Sequence, residues 1–319
     1  MIIPGWTAAA ALIVDWVIGD PKRLPHPVSG MGRLIAFGTR HLNHGSNRAR
    51  RWKGVLLAAF VPGFVWCVSA LLLYAAWVLH PAASMAAGVL MTASTIACRG
   101  LKEAAYAVMT PLAKGDLPAA RGALSMIVGR DTAQLSESEI VRGTVETVAE
   151  NTVDGVTAPL FYAFIGGPPL AMAYRAVNTL DSMVGYRSEP YAAFGWASAR
   201  LDDVVNWLPA RLTLLLMTGA ALVMNPKQAG QGFRWAWQDA GKHPSPNSGW
   251  SEAFIAGFLG VKLGGTNYYH GVVSRRAEMG PGAKVLERTH IISAVRMLYG
   301  ASLLGAAAGV TLFVLIGGM

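Results

Sequence analysis

Long apolar runs alternate with polar stretches along the whole chain. Residues 55–79 and 300–319 contain no charged side chain. A helix needs about 20 apolar residues to cross the hydrocarbon core of a bilayer, and both runs are that long. The pattern therefore predicts an all-α, multi-pass integral membrane protein. Its predicted spans are residues 2–18, 55–79, 82–97 and 300–316, with two less regular ones at 156–177 and 208–224.

The two less regular spans contain residues that disturb a helix in lipid. Gly-Gly-Pro-Pro at 166–169 interrupts the first, and Arg211 interrupts the second. Backbone groups freed by such a break must be satisfied by protein or water, because lipid offers them no partner. We therefore expect residues 156–177 to form a broken or re-entrant segment.

Charge is sparse and concentrated between the apolar runs. Charged residues make up 14% of the chain, against about 25% in a soluble domain. The net charge is +9, but the basic blocks have no interleaved aromatic residues, which favours membrane topology over nucleic-acid binding. We expect one membrane domain over residues 1–319, with polar insertions at about 19–54, 98–155 and 225–299.

Basic residues also indicate which loops lie inside the cell. The stretch 22–53 holds eight Lys or Arg and should be cytoplasmic, as should 99–154 and 227–296. An even number of crossings must then separate the last two, which either two full spans or re-entrant segments provide. Cys67 and Cys98 have no spacing typical of a disulfide framework or a thiolate metal site.

The first polar motif follows the first predicted span. Asp15 lies within that span, where an acid is costly and indicates function. Asp20 and His26 follow in a proline-rich turn, in which Pro21 and Pro25 would fix the direction of the loop. The alternative is a set of polar residues that simply end a helix at the interface.

A second motif stacks three carboxylates. Glu146, Glu150 and Asp154 are spaced four residues apart, which places them on one helical face where like charges repel. A bound Mg²⁺ would reverse that repulsion, since Mg²⁺ takes one or two carboxylates and completes its shell with water and phosphate oxygens. The alternative is a solvated acidic face.

Two further motifs carry groups suited to anions. Arg175, Asn178, Asp181 and Arg187 share one side of a helix, where Arg could bind phosphate or carboxylate and Asp181 a metal, unless Arg and Asp form a purely structural pair. The loop after residue 241 offers an anion-binding nest at a helix start, or an ordinary Pro/Ser turn. Its polar residues are Lys242, His243, Ser245, Asn247 and Ser248.

Together these motifs resemble the adenosylcobinamide-phosphate synthase family, the membrane enzymes of late cobalamin biosynthesis. The resemblance covers nearly the whole chain. It rests on several long motifs in one order, at residues 15–32, 129–132, 146–159, 174–187 and 242–249.

The resemblance implies a ligase that joins adenosylcobyric acid to aminopropanol phosphate, or a related amino-alcohol phosphate, with ATP. Such chemistry needs a cation, basic groups around developing phosphate charge and a base that frees the amine. The implied metal ligands are Glu146, Glu150, Asp154 and Asp181, holding Mg²⁺. The implied catalytic groups are Asp15, Asp20, His26, Lys242 and His243, and the implied phosphate or substrate groups are Arg130, Arg175, Asn178, Arg187, Ser245, Asn247 and Ser248.

The family also implies a place in the cell and a set of partners. Because ATP and the corrinoid precursor are cytoplasmic, the active-site loops should face the cytoplasm from the cell membrane, in contact with lipids and with other late cobalamin-assembly enzymes. Two alternatives stay open. A transporter would use the broken helix and intramembrane charges to line a solute path, and a scaffold would hold assembly enzymes without catalysis.

Overall fold

The computed structural model describes residues 5–20, 26–269 and 271–316. The chain is an all-α multi-pass membrane protein, as the pattern predicted. Within the described residues, five helical segments are long and apolar enough to cross a membrane by length and composition: Asn47–Leu79, Pro81–Ala113, Glu137–Val184, Trp207–Met224 and Arg288–Leu315.

Thirteen α-helices and one β-hairpin are present in the described part of the chain. In chain order they are α1 (Trp6–Val17), α2 (Pro27–Leu42), α3 (Asn47–Leu79), α4 (Pro81–Ala93), α5 (Cys98–Ala113), α6 (Leu117–Ser125), α7 (Glu137–Thr152), a π-helical turn (Val153–Thr157), α8 (Ala158–Val184), α9 (Trp196–Val205), α10 (Trp207–Met224), α11 (Pro226–Asp239), a 3₁₀ turn (Ala240–Lys242), α12 (Ser248–Leu259), β1 (Leu263–Tyr269), β2 (Val272–Met279) and α13 (Arg288–Leu315).

The helices divide into two compact units. The first unit comprises Met1–Ala97, Asp154–Asn206 and Ala306–Met319, and the second comprises Cys98–Val153 and Trp207–Gly305. The single membrane domain with three polar insertions stays a prediction.

The predicted spans correspond to helices with shifted ends. The apolar run 55–79 lies within α3, and 208–224 matches α10. Helix α13 begins at Arg288, well before the predicted residue 300. Helix α1 has only 12 residues, so it is shorter than a full span, and residues 2–4 of that prediction lie outside the described part.

The break predicted at residues 166–169 is confirmed. Helix α8 continues through it, but Gly166 and Gly167 leave helical geometry, with Gly167 at φ +69°. Only glycine adopts that conformation without strain, and the two prolines that follow cannot donate backbone hydrogen bonds. The sequence thus kinks the helix at one defined point.

In the first unit, α2 and α3 pack on α8. Ile35, Val61, Leu180 and Phe194 are buried in their shared core. A Cβ added at Gly54 of α3 would lie 1.9 Å from the Phe194 carbonyl oxygen, so only glycine permits this close approach.

The second unit is built around α12. Every residue of Ser248–Leu259 except Trp250 is buried, and the helix packs on α7, α10 and α11. Gly257 lets α11 approach, because a Cβ there would meet the Trp235 side chain at 2.6 Å. A helix buried on all sides carries any polar residue into the core, which is where Glu252 lies.

The β-hairpin is absent from the sequence prediction. Strands β1 and β2 pair antiparallel, with a register shift between Leu263 and Gly265. Gly264 and Gly265 both have positive φ, which interrupts the alternation that would indicate a strand. The hairpin therefore adds a small β element to the second unit of an otherwise helical protein.

Candidate functional site

In the second unit, Glu146 of α7 is the centre of a buried hydrogen-bond network. Its Oε2 accepts from Arg130 Nη2 at 2.5 Å, and its Oε1 accepts from the Gly264 backbone N–H at 2.8 Å. Both side chains of the Arg130–Glu146 pair are less than a tenth exposed. Helix α7 begins with a capping box, in which Ser136 and Glu139 bond each other's backbone.

The hairpin completes this network. Asn267 of β1 accepts through Oδ1 from Arg130 Nη1 at 2.6 Å and from Arg142 Nη2 at 3.1 Å. Arg142 also donates to the Thr266 carbonyl oxygen at 3.0 Å. One amide oxygen thus orients two guanidinium groups, and charge-assisted bonds of this kind are the strong ones.

The loop after the 3₁₀ turn fixes a buried histidine. The Ser245 N–H donates to His243 Nδ1 at 3.0 Å, which orients the ring so that Nε2 points away from the loop. That nitrogen lies 3.3 Å from Glu252 Oε1, and the two side chains are 5% and 2% exposed. His243 and Glu252 therefore form a buried acid–base pair.

Burial and nearby charges shift the pKa values of both groups. Burial raises the pKa of Glu252 well above its ordinary value, and Glu150 and Glu146 raise it further. Burial lowers the pKa of His243, an effect that Glu150 opposes. Burial therefore favours the uncharged form of both groups.

A polar cavity of about 170 Å³ is lined in part by Glu252 of this pair. Glu150, which accepts from Ser248 Oγ at 3.1 Å, lies in its wall. The cavity brings cations and carboxylates within reach of one small ligand group. Its charged lining residues are Arg130, Glu146, Glu150, Glu252 and Arg276.

Neighbouring contacts hold the loop in place. Arg211 of α10 donates to Asn247 Oδ1 at 3.0 Å and stacks on Trp207 and Trp250. The exposed Lys242 pairs with the buried Asp239 at 2.7 Å. Asn247 and Lys242 therefore help to position the loop. The catalytic role of Lys242 stays a prediction.

The first unit holds a separate polar cluster at the π-helical turn. Arg175 Nη1 donates to the Asp154 carbonyl oxygen at 3.4 Å and to Asn178 Oδ1 at 3.2 Å. Asn178 Nδ2 donates to Asp154 Oδ2 at 3.5 Å. A π turn is rare and frequent at functional sites. Asp154 of the carboxylate motif therefore lies in one cluster with Arg175 and Asn178 of the next motif.

Asp202 of α9 belongs to the same cluster. Asn206 Nδ2 donates to its Oδ2 at 3.0 Å, and Tyr174 donates to Asn206 Oδ1 at 2.8 Å. Burial raises the pKa of Asp202 to about 7, and the charge of Asp181 adds to the shift. Arg187 is exposed and lowers the pKa of Asp203, which burial raises.

The first motif forms a smaller contact. His26 caps α2 by accepting from the Val28 N–H through Nδ1, and its Nε2 lies 3.1 Å from Asp20 Oδ1. Asp15 is buried in α1 at 2% exposure. Pro21 and Pro25 lie outside the described residues.

The four predicted metal ligands do not lie in one cluster. Glu146 and Glu150 belong to the second unit, whereas Asp154 and Asp181 belong to the first. Glu146 has both oxygens bonded, so it could bind a metal only by giving up Arg130 or Gly264. Glu150 uses Oε1 for Ser248, which leaves Oε2 as a candidate ligand. Among the described residues, no group of three or more His, Cys, Asp or Glu is arranged to hold a metal ion. Mg²⁺ bound largely by phosphate needs fewer protein ligands, and its binding stays a prediction.

Sequence reasoning missed several members of the clusters. Glu252 lies in an apolar run, Arg276 and Asn267 belong to the unpredicted hairpin, and Asp202 follows the motif at weaker spacing. A single charge within the apolar stretch 248–261 was the available signal for Glu252, since an unpaired buried acid is costly.

Fold and clusters together define a multi-pass membrane protein with buried, charge-lined polar sites. The chain belongs to the CobD/Cbib protein family, whose model matches residues 8–298. This confirms the family resemblance of the motifs.

Curated relatives match over most of their length. The chain is 52% identical to the cobalamin biosynthesis protein CobD of Halalkalibacterium halodurans, covering 91% of this chain and 90% of that protein. It is 46% identical to CobD of Klebsiella pneumoniae and 45% identical to the cobalamin biosynthesis protein CbiB of Salmonella typhimurium, each over 96% of both chains. No solved structure matches the chain.

Proposed function

We propose that this protein acts in cobalamin biosynthesis as an ATP-dependent ligase, which joins adenosylcobyric acid to aminopropanol phosphate, or a related amino-alcohol phosphate, to give adenosylcobinamide phosphate. The names of its relatives support the pathway. The observation that carries the chemistry is the buried His243–Glu252 pair beside a cavity with two guanidinium groups.

The reaction has two bond-forming steps. ATP transfers its γ-phosphoryl group to the corrinoid carboxylate, which gives an acyl phosphate and ADP. The amine then attacks the acyl carbon, so a C–N bond forms, the C–O bond breaks and phosphate leaves. Arg130 and Arg276 suit the phosphoryl charge, because fixed guanidinium groups stabilise developing anions.

The attacking amine must lose a proton. His243 suits this role because burial keeps its pKa low and its ring neutral, and Glu252 suits it as the group that shares the proton. Asp15, Asp20, His26 and Lys242 remain proposed catalytic groups, and Arg175, Asn178, Arg187, Ser245, Asn247 and Ser248 remain proposed substrate groups.

A divalent cation would neutralise phosphate charge in this reaction. Glu150 is the group in the cavity best suited to hold Mg²⁺, since one of its oxygens has no described partner. Asp154 and Asp181 remain proposed ligands. We place the active-site loops on the cytoplasmic side of the cell membrane, where ATP and the corrinoid precursor occur and where other late assembly enzymes could dock.

The test is product formation by the purified full-length protein in detergent. Adenosylcobyric acid, aminopropanol phosphate and Mg²⁺ are supplied with and without ATP, and mass spectrometry follows the product. ATP-dependent adenosylcobinamide phosphate supports a ligase. Folded protein that makes none contradicts it, and solute flux in sealed vesicles without product would favour a transporter.

A further inference from the structure

A surface pocket of the first unit lies at the N-terminal end of α3, in the basic part of the helix that precedes its apolar run. The pocket has a volume of about 270 Å³ and is lined by Asn47, Arg48, Arg51, Ala192, Ala193 and Trp196. It belongs to none of the motifs assigned to the ligase reaction. Its chemistry is cationic on one side and aromatic on the other.

Two of the basic side chains near this pocket are already engaged. Arg50 donates to Glu189 Oε2 at 2.9 Å and to Asn43 Oδ1 at 2.8 Å, and Lys53 donates to the His44 carbonyl oxygen at 3.0 Å. They contribute to local structure, so they are poor candidates for binding an external ligand.

Arg48 and Arg51 differ from these neighbours. Both are exposed, and neither forms an ion pair within the described residues. The Arg51 guanidinium lies 3.8 Å from the centre of the Trp196 ring, which holds it over the pocket by a cation–π contact. Two guanidinium groups without anionic partners in one pocket fit a phosphate, which they bind bidentately.

The position of Arg51 relative to the membrane indicates which kind of phosphate group can reach the pocket. The apolar run of α3 begins at Val55, four residues after Arg51, which is about 6 Å along a helix. The headgroup layer occupies roughly 5–7 Å on each side of the hydrocarbon core. Trp52 is 64% exposed and Trp196 is 40% exposed, as is typical of side chains at the membrane interface.

We infer that this pocket binds the phosphodiester headgroup of an anionic membrane lipid. Arg48 and Arg51 hold the phosphate, and Trp196 supports Arg51 and contacts the glycerol region. The site is independent of the ligase reaction, and its test requires no turnover.

The test is native mass spectrometry of the full-length protein in detergent, titrated with phosphatidylglycerol or phosphatidylcholine. Wild type should bind phosphatidylglycerol more strongly than the zwitterionic lipid. The double variant Arg48→Gln, Arg51→Gln should bind it about thirtyfold more weakly, because each arginine at a membrane surface contributes about fivefold in affinity. Arg40→Gln removes a charge from the neighbouring exposed end of α2 and should bind like wild type.

Two further variants separate binding from folding. Arg51→Lys keeps the charge but loses the planar guanidinium group that binds phosphate through two N–H groups, so it should bind the lipid at an intermediate level. Trp196→Ala should weaken lipid binding although both arginines are present. Equal phosphatidylglycerol binding by wild type and the double variant would overturn the inference, as would equal binding of the two lipids. Displacement of the lipid by inorganic phosphate would show a site for free phosphate instead.

Discussion

Glu252 is a buried carboxyl group that pairs with His243. Replacing it with Gln keeps its shape but removes its ability to exchange a proton with the imidazole. We expect Glu252→Gln to lower turnover by about 100-fold or more, since general acid–base catalysis contributes at least that much. Initial rates of adenosylcobinamide phosphate formation measure the effect.

Glu278 provides the matched control for this change. It is an exposed acid of the same unit that pairs with Lys262 at 2.7 Å, away from the cavity lining. Glu278→Gln should keep wild-type turnover. If Glu252→Gln also retained full activity while folded, the proposed role of Glu252 in proton transfer would be wrong.

Glu150 tests the proposed metal role. Glu150→Gln removes a negative charge from the cavity while its amide oxygen can still accept from Ser248. We expect the variant to require a higher Mg²⁺ concentration for half-maximal activity, because amide oxygens bind Mg²⁺ more weakly than carboxylates do. An unchanged Mg²⁺ dependence would assign Glu150 to structure instead.

Asp202 should make stability depend on pH. Its pKa is about 7 in the folded protein and near 3.8 when exposed, so between these values the folded state binds more protons than the unfolded state. Stability from this group therefore falls as pH rises from about 4 to about 7 and is level above that. Thermal unfolding in detergent should show the fall in wild type and a flatter profile in Asp202→Asn.

A surface acid serves as the comparison for this profile. Glu137 is exposed, and Glu137→Gln should leave the pH dependence unchanged. A slope in Asp202→Asn as steep as in wild type would mean that another group titrates.

At the residue scale, motif spacing predicted part of each cluster. The helical spacing of Arg175 and Asn178 correctly placed them side by side. Partners distant in sequence were missed, because nothing local links Glu146 to Gly264 or His243 to Glu252. Tertiary packing, rather than periodicity, brings those groups together.

At the scale of the element, the kink of α8 depends on Gly167. A side chain at φ +69° is strained by about 1–2 kcal/mol, and the nearest atom to an added Cβ is 3.8 Å away, so strain and not collision is the cost. Gly167→Ala should therefore lower the unfolding temperature in detergent. The measurement is circular dichroism on heating.

Gly63 is the control for this substitution. It lies within α3, and an added Cβ would meet nothing within 4 Å. Gly63→Ala should be neutral or slightly stabilising, since alanine favours a helix over glycine by about 0.5–1 kcal/mol. Equal effects of the two substitutions would contradict a special conformation at residue 167.

Elements were predicted best where local chemistry defines them. The apolar run of α3 and the capping box of α7 are visible in sequence, and both are present. Pro118 lies in the first turn of α6, where a helix tolerates proline, and Pro111 lies inside α5, which continues to Ala113.

At the scale of the whole molecule, α3 predicts a sidedness that labelling can test. In a background without Cys67 and Cys98, a cysteine at residue 40 should react with an impermeant maleimide only from the cytoplasmic side. A cysteine at residue 82 should react only from the opposite side, because α3 separates the two positions. Labelling of both from one side would contradict the span.

Native Cys67 gives an internal check on the same membranes. It is exposed on α3 in the middle of the apolar run, so lipid should shield it from the impermeant reagent. Detergent solubilisation should not be needed to label residue 40 but should be needed to label residue 67.

The outward apolar side chains of α3, such as Phe60, Leu71 and Leu72, change what unfolding means for this protein. Once inserted, these groups remain in lipid whether or not the helices are assembled, so leaving water cannot drive assembly. The remaining driving force for assembly is close contact between helices. One example is the hydrogen bond that Ser84 donates to the Leu73 carbonyl oxygen at 3.1 Å. Biogenesis therefore has two stages, insertion and then docking, and small residues at helix contacts govern the second.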